Sequence, residues 1–126
     1  VYYGKGEPPK KVVIVSVVFS VFLLSYMSYI GFTRYNALSG PVGYTAGTTV
    51  GFVVTASGRS VQYEYEVEGR RYSDIRTYAY NSIVPGGRYL VKFSVENPSI
   101  SEIYQDKPIP VDIVPPKEGW KSKPKL

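Results

Sequence analysis

The sequence predicts a small all-β domain, an antiparallel barrel or curled sheet of about five strands, preceded by one transmembrane α-helix. Three observations lead there. Val12 to Phe32 reads VVIVSVVFSVFLLSYMSYIGF, with no charge and no proline. From residue 48 onward the hydrophobic period changes to two, most cleanly in Val61 to Glu68, VQYEYEVE. Between the alternating runs lie turn residues: Ser57 to Arg59, Gly69, and Pro85 to Gly87.

The helix at residues 12–32 is set by length. At ~1.5 Å per residue it covers ~30 Å, the hydrocarbon thickness of a bilayer. In lipid the backbone must bond within its own segment, so its valines and isoleucines do not divert it to a strand. A buried core helix would carry a polar face, which this stretch lacks. A cleaved signal sequence would have a shorter apolar core. The segment therefore reads as an uncleaved anchor. Lys5, Lys10 and Lys11 precede it and Arg34 follows. The positive-inside rule then puts residues 1–11, a short tail, in the cytoplasm. Lys10 and Lys11 fall at one membrane edge. Tyr26, Tyr29, Phe32 and Tyr35 form an aromatic belt at the other. Ser16 and Ser20, with Ser28 and Gly31 further along, give a weak small-residue pattern for a helix–helix contact.

Residues 33–47, TRYNALSGPVGYTAG, read as a linker, because glycine, proline and small polar residues leave little to bury. The β domain is expected over residues 48–114. Thr48 to Thr55 is the first strand. In the second, Val61, Tyr63, Tyr65 and Val67 share one face, and Gln62, Glu64, Glu66 and Glu68 the other. Gly69 closes a tight hairpin. A third strand starts at Arg70 or Arg71 and passes through Tyr72 and Ile75, with Arg71 facing the glutamate row. Arg88 to Glu96 alternates again, with Tyr89, Val91, Phe93 and Val95 inward, and Asn97-Pro98-Ser99 ends it. Ile100 to Tyr104 reads as a helical turn or irregular loop. Pro108 to Val114 reads as a fifth, edge strand.

Residues 115–126, PPKEGWKSKPKL, form a basic tail with too little apolar material to fold alone. It holds the chain's single Trp. Trp120, with Lys121, Lys123 and Lys125, is expected to dock on a neighbouring subunit or the membrane interface rather than on its own sheet.

Charge and composition exclude several functions. Of the net +5, residues 44–114 contribute −1 and residues 115–126 contribute +3. The folded part thus lacks the basic face of a nucleic-acid-binding domain. The chain has no Cys and no His, which removes thiol chemistry, the commonest general base and the commonest transition-metal ligand. No phosphate-binding loop, zinc spacing or nucleophile elbow is present. Asp74 and Asp106 could form a carboxylate pair, but no spacing sets them together. We expect no enzyme activity, no cofactor, no metal and no small-molecule ligand.

Three segments carry a family resemblance. They are YEYEVEGRRY (63–72), VPGGRYLVKF (84–93) and ENPSISEI (96–103). Together they resemble a widespread bacterial family of unknown function, built of membrane-anchored small β domains. Phe93 stands where that family often has Tyr, and Glu96 where it often has Asp. Gly69, Gly86, Gly87 and Asn97-Pro98 each have a turn-forming reason, so the motif specifies a fold and brings no catalytic residues.

The functional expectation is a non-catalytic, single-pass accessory or scaffold subunit of a larger assembly in a bacterial inner membrane, with its β domain periplasmic. Its partners would be the lipid bilayer and other membrane protein subunits. The alternative is an extracytoplasmic sensor or binding module whose Tyr-rich sheet takes a glycan, peptide or envelope polymer.

Overall fold

A computed structural model of the protein describes residues 10–56 and 58–126. Residues 1–9 of the expected tail, and Ser57 of the first expected turn, lie outside the described residues. The chain divides into two compact units, one reaching to Tyr35 and the other running from Asn36 to Leu126. One helix, α1 (Lys10–Ser39), precedes five strands: β1 (Val42–Thr55), β2 (Gly58–Val67), β3 (Arg70–Thr77), β4 (Arg88–Ser94) and β5 (Ser101–Pro108).

Residues 33–47 are not a linker. Arg34, Ala37 and Leu38 are good helix formers and carry α1 to Ser39. The helix stops where the Gly40 amide donates to the Asn36 carbonyl (3.1 Å) and Pro41 offers no amide to continue. Strand β1 begins at the next residue. Gly43 and Gly47 are there for close approach, not flexibility. A Cβ on Gly43 would lie 2.6 Å from Cζ of Phe93.

The strands form one antiparallel sheet in the order β3-β2-β1-β4-β5. β1 is its long central strand, and its two neighbours are offset along it. β4 pairs with the first half, from Val42 opposite Ser94 to Thr48 opposite Arg88. β2 pairs with the second half, from Gly47 opposite Tyr65 to Thr55 opposite Gly58, with a register shift between Thr49 and Gly51. Each end of β1 therefore has one edge that no strand covers. At Thr49 the turn before β4 fills it: Thr49 donates to the Gly87 carbonyl and Gly86 donates to that of Thr49, both at 2.8 Å. β2 and β3 meet at a tight turn in which Glu68 (φ 55°) and Gly69 (φ 77°) both take the positive φ of a two-residue hairpin.

The core lies on one face of the sheet. Tyr63, Tyr65, Val67, Tyr89, Val91, Phe93 and Ile103 are buried there, with Tyr72 packed against them. Tyr63 stacks on Tyr65 at 5.9 Å between ring centroids, and Tyr65 on Tyr72 at 5.6 Å. Burying phenols requires partners for their oxygens. The Tyr63 hydroxyl bonds Ser101 Oγ (2.8 Å), that of Tyr65 donates to the Pro98 carbonyl (2.6 Å), and that of Tyr89 accepts the Ile83 amide (2.7 Å). Among the described residues no buried side-chain nitrogen or oxygen lacks a partner.

The sheet curls but does not close into a barrel. β3 and β5 are its two edges, and side chains bridge them where a ladder would close the ring. Arg76 Nη2 donates to Glu102 Oε1 at 2.7 Å. The buried Gln105 amide stands in for a strand: Nε2 donates to the Thr77 carbonyl (2.7 Å), and Oε1 accepts from the Ala79 amide (3.1 Å) and Ser82 Oγ (2.8 Å).

Two strand assignments change. The fifth strand is Ser101–Pro108, not Pro108 to Val114, and it takes in most of the stretch read as a turn or loop. Its inward residues include Ser101 and Gln105, so an apolar period does not mark it. Val95 is exposed rather than inward, because β4 ends at Ser94. β4 is also buried on its second face, where Leu90 is 1 % exposed.

Candidate functional site

Two features stand out as surfaces for function: the apolar helix, and the C-terminal segment that covers the second face of the sheet.

α1 has no buried residue. Its large apolar side chains from Val12 to Tyr35 are all at least 43 % exposed. Among the described residues it is the one helix long and apolar enough to cross a membrane. Lys10 and Lys11 occupy its first turn. Ser16 and Ser20 share a face, and Ser20 Oγ donates to the Ser16 carbonyl at 2.8 Å, which satisfies that hydroxyl within the helix. Thr33 Oγ1 bonds the Tyr29 carbonyl in the same way, also at 2.8 Å. Nothing lies within 4 Å of a Cβ built on Gly31. At ~100° per residue Gly31 falls about 60° from Ser16, whereas Ser28 falls about 120° away. The four small residues thus make a broad sector rather than a seam. Tyr26, Tyr29, Phe32 and Tyr35 are all exposed. Their three-residue spacing sweeps about 180° around the helix over ~14 Å of its length, as a belt does and a packing stripe does not.

The C-terminal segment is a strap on its own domain. The Arg88 guanidinium holds its beginning, with Nη1 donating to the Pro110 carbonyl (2.7 Å) and Nη2 to that of Ile113 (3.1 Å). The Glu68 amide then donates to the Lys117 carbonyl at 2.8 Å. At Tyr44 the strap fills the second uncovered edge of β1: Tyr44 donates to the Trp120 carbonyl (2.8 Å) and Trp120 to that of Tyr44 (2.7 Å). Gly119 sits at φ 83°, and a Cβ there would lie 2.8 Å from both Phe93 Cζ and the Tyr44 carbonyl. The Phe93 ring thus has glycine backbone against it at Gly43 and at Gly119. Beyond Trp120, the Lys123 ammonium stands 5.0 Å from the Tyr104 ring centroid. Burial, then the nearby Glu102 carboxylate, push the Tyr104 hydroxyl above its ordinary value, so it stays protonated.

This corrects one part of the expectation for the tail, that it stays off its own sheet. Trp120 pairs through its backbone with its own sheet, and its side chain is half-buried. Lys121, Lys123 and Lys125 remain exposed on the strap. The tail's poverty in apolar residues was a poor guide, because main-chain bonds and a side-chain-free contact at Gly119 hold it.

Clefts flank the strap. One, of about 410 Å³, has Thr48, Glu66, Arg88 and Lys117 in its wall. Another of the same volume lies between Leu90, Pro108, Pro124 and Leu126. Neither brings two carboxylates together. A third, of about 360 Å³, lies along the β3–β5 seam and includes Glu102 and Asp106, but Glu102 is engaged by Arg76. Asp74 is not in that wall, and its Oδ1 accepts the Ile75 amide at 2.8 Å. Among the described residues no group of three or more acidic side chains could hold a metal ion.

One further surface had no sequence signal. Near the end of the β1–β2 hairpin, Phe52 meets Tyr78 edge-on at 5.2 Å between centroids. The Arg59 guanidinium lies 4.6 Å from the first ring and 5.5 Å from the second. Val54, two residues after Phe52, is 88 % exposed. Tyr80 and Asn81 both have positive φ, and Tyr80 projects 72 % exposed from a turn clamped by Gln105. A bulky residue rarely adopts that backbone. Only the folded turn, not the sequence, marks Tyr80 as unusual.

No family model, curated protein or solved structure matches the chain.

Ending the chain after Pro115 should lower the melting temperature of the β domain by about 10 °C, from loss of about 2 kcal/mol of strap bonding and Leu90 burial. Thermal unfolding of the full chain and the truncated chain in detergent, followed by tyrosine circular dichroism, measures this. An unchanged melting temperature would show that the strap adds nothing to the fold.

Proposed function

We propose that this chain is a non-catalytic, single-pass accessory or scaffold subunit of a larger membrane protein assembly. Its seat is a bacterial inner membrane, with the N-terminus cytoplasmic and the sheet on the periplasmic side. The observation that carries the reading is α1, a 30-residue helix with no buried residue and apolar side chains all around it. Such a surface needs lipid or other apolar helices as its solvent. The excess of lysines before the apolar stretch supports the orientation.

The sheet supports a role in contact rather than in ligand binding. The binding-module reading relied on a tyrosine-rich recognition face. Tyr63, Tyr65 and Tyr89 are instead buried, with each hydroxyl bonded inside the domain. Aromatic and arginine side chains do reach the surface at Phe52, Tyr78 and Arg59, the residue types that anchor protein interfaces. This patch is the one that a partner subunit's acidic and apolar surface would meet.

Purification in mild detergent followed by mass spectrometry tests the assignment. Stoichiometric membrane proteins should accompany the chain, and Arg59→Glu should release them while lowering the melting temperature by only a few degrees, from loss of the contacts to Phe52 and Tyr78. A chain that purifies alone and retains cell-wall fragments would overturn it in favour of the binding module. For orientation, a single cysteine introduced as Val111→Cys should react with a membrane-impermeant thiol reagent on intact spheroplasts. Reaction only after lysis would reverse the topology.

A further inference from the structure

We propose that the C-terminal strap is a binding surface for anionic phospholipid headgroups. The lysines Lys117, Lys121, Lys123 and Lys125 would make the contacts, with Trp120 among them. The proposal rests on the reading that α1 spans a membrane.

Charge comes first. Residues 115–126 of the strap carry four lysines against Glu118, whereas residues 44–114 are close to neutral. All four lysines are exposed. The ion pairs of Arg71 with Glu64 and of Arg76 with Glu102 do not involve the strap. Lys117, Lys121 and Lys125 thus present their charges to an outside partner, and Lys123 does so from beside the Tyr104 ring.

Position comes second. Trp120 is bonded to Tyr44 in both directions. Tyr44 follows Ser39, the last residue of α1, by only five residues. At ~3.5 Å per residue that covalent path is at most ~18 Å. Arg34, the first charge after the apolar stretch, lies ~8 Å before Ser39 along the helix. The strap's central anchor is thus tied to the stretch of chain that leaves the membrane.

Chemistry selects lipid over protein. The strap presents lysines, which are compact point charges, spaced by Ser, Pro and Gly. It presents no arginine, whose planar fork suits bidentate pairing with a defined carboxylate. A row of point charges suits the diffuse negative layer of a leaflet, where each lysine strengthens attachment about fivefold. A half-buried Trp is at home at such an interface. Because main-chain bonds already fix the strap as far as Trp120, little further ordering of that part opposes the contact.

The chain's single Trp makes the test direct. The full chain is placed in nanodiscs of zwitterionic lipid, or of the same lipid with about 30 % phosphatidylglycerol. Trp120 emission should move to shorter wavelength in the anionic discs. Quenching by lipids brominated near the headgroup should rise about twofold there, and about 0.5 M salt should reverse both changes. The combined variant Lys121→Gln, Lys123→Gln, Lys125→Gln should lose the dependence on lipid while its far-ultraviolet spectrum stays unchanged. Equal emission and quenching in the two discs would overturn the proposal. So would lysine-dependent retention of an acidic protein with no response to lipid. A chain that fails to enter either disc would overturn the span itself, a readout separate from Trp120.

Discussion

β1 is longer than the strand on either side of it, and the rest of the sheet is arranged around that mismatch. Its fourteen residues meet β4 along one half and β2 along the other. A buried backbone amide or carbonyl without a partner costs about as much as a lost hydrogen bond, so both bare edges need filling. The Gly86-Gly87 turn fills one, and Trp120 fills the other. The first fixes how the chain enters β4. The second brings the strap across the sheet, where it covers Leu90 and sets Gly119 against Phe93.

The same economy appears at the seam. A five-stranded sheet curled this far leaves β3 and β5 facing each other without a ladder, and open edges invite pairing with other chains. The Gln105 amide takes the place of a backbone unit there, and the Arg76–Glu102 pair lies alongside. With the edges bridged and the phenols bonded inward, the domain's surface chemistry shifts to its periphery. Among the outward features are the aromatic and arginine cluster by the hairpin and the lysines of the strap.

Sequence reading succeeded where burial and polarity agree. β2 was legible because Val61, Tyr63, Tyr65 and Val67 are both apolar and inward, with glutamates between them. α1 was legible because lipid asks only for uninterrupted apolarity. The reading failed where inward residues are small or polar. The first half of β1 turns Gly43, Thr45 and Gly47 inward, making room for Phe93 and its neighbours, and so looked like a linker. β5 turns Ser101 and Gln105 inward because each serves a buried partner, and the apolar period vanished. The strap gave no signal at all, since its attachment is mostly main-chain. In each case the cause lies in a residue distant in sequence, which no local window contains.

Amide hydrogen exchange on the full chain in detergent tests most directly whether the strap completes the sheet. The structure requires the amides of Tyr44, Glu68 and Trp120 to be protected together with the β1–β4 ladder, because each is a donor between the strap and the sheet or the return bond. Their exchange in the same slow class as Val91 and Phe93 is the predicted result. Exchange of Tyr44 and Trp120 at the rate of unbonded surface amides, with the ladder still protected, would contradict the account.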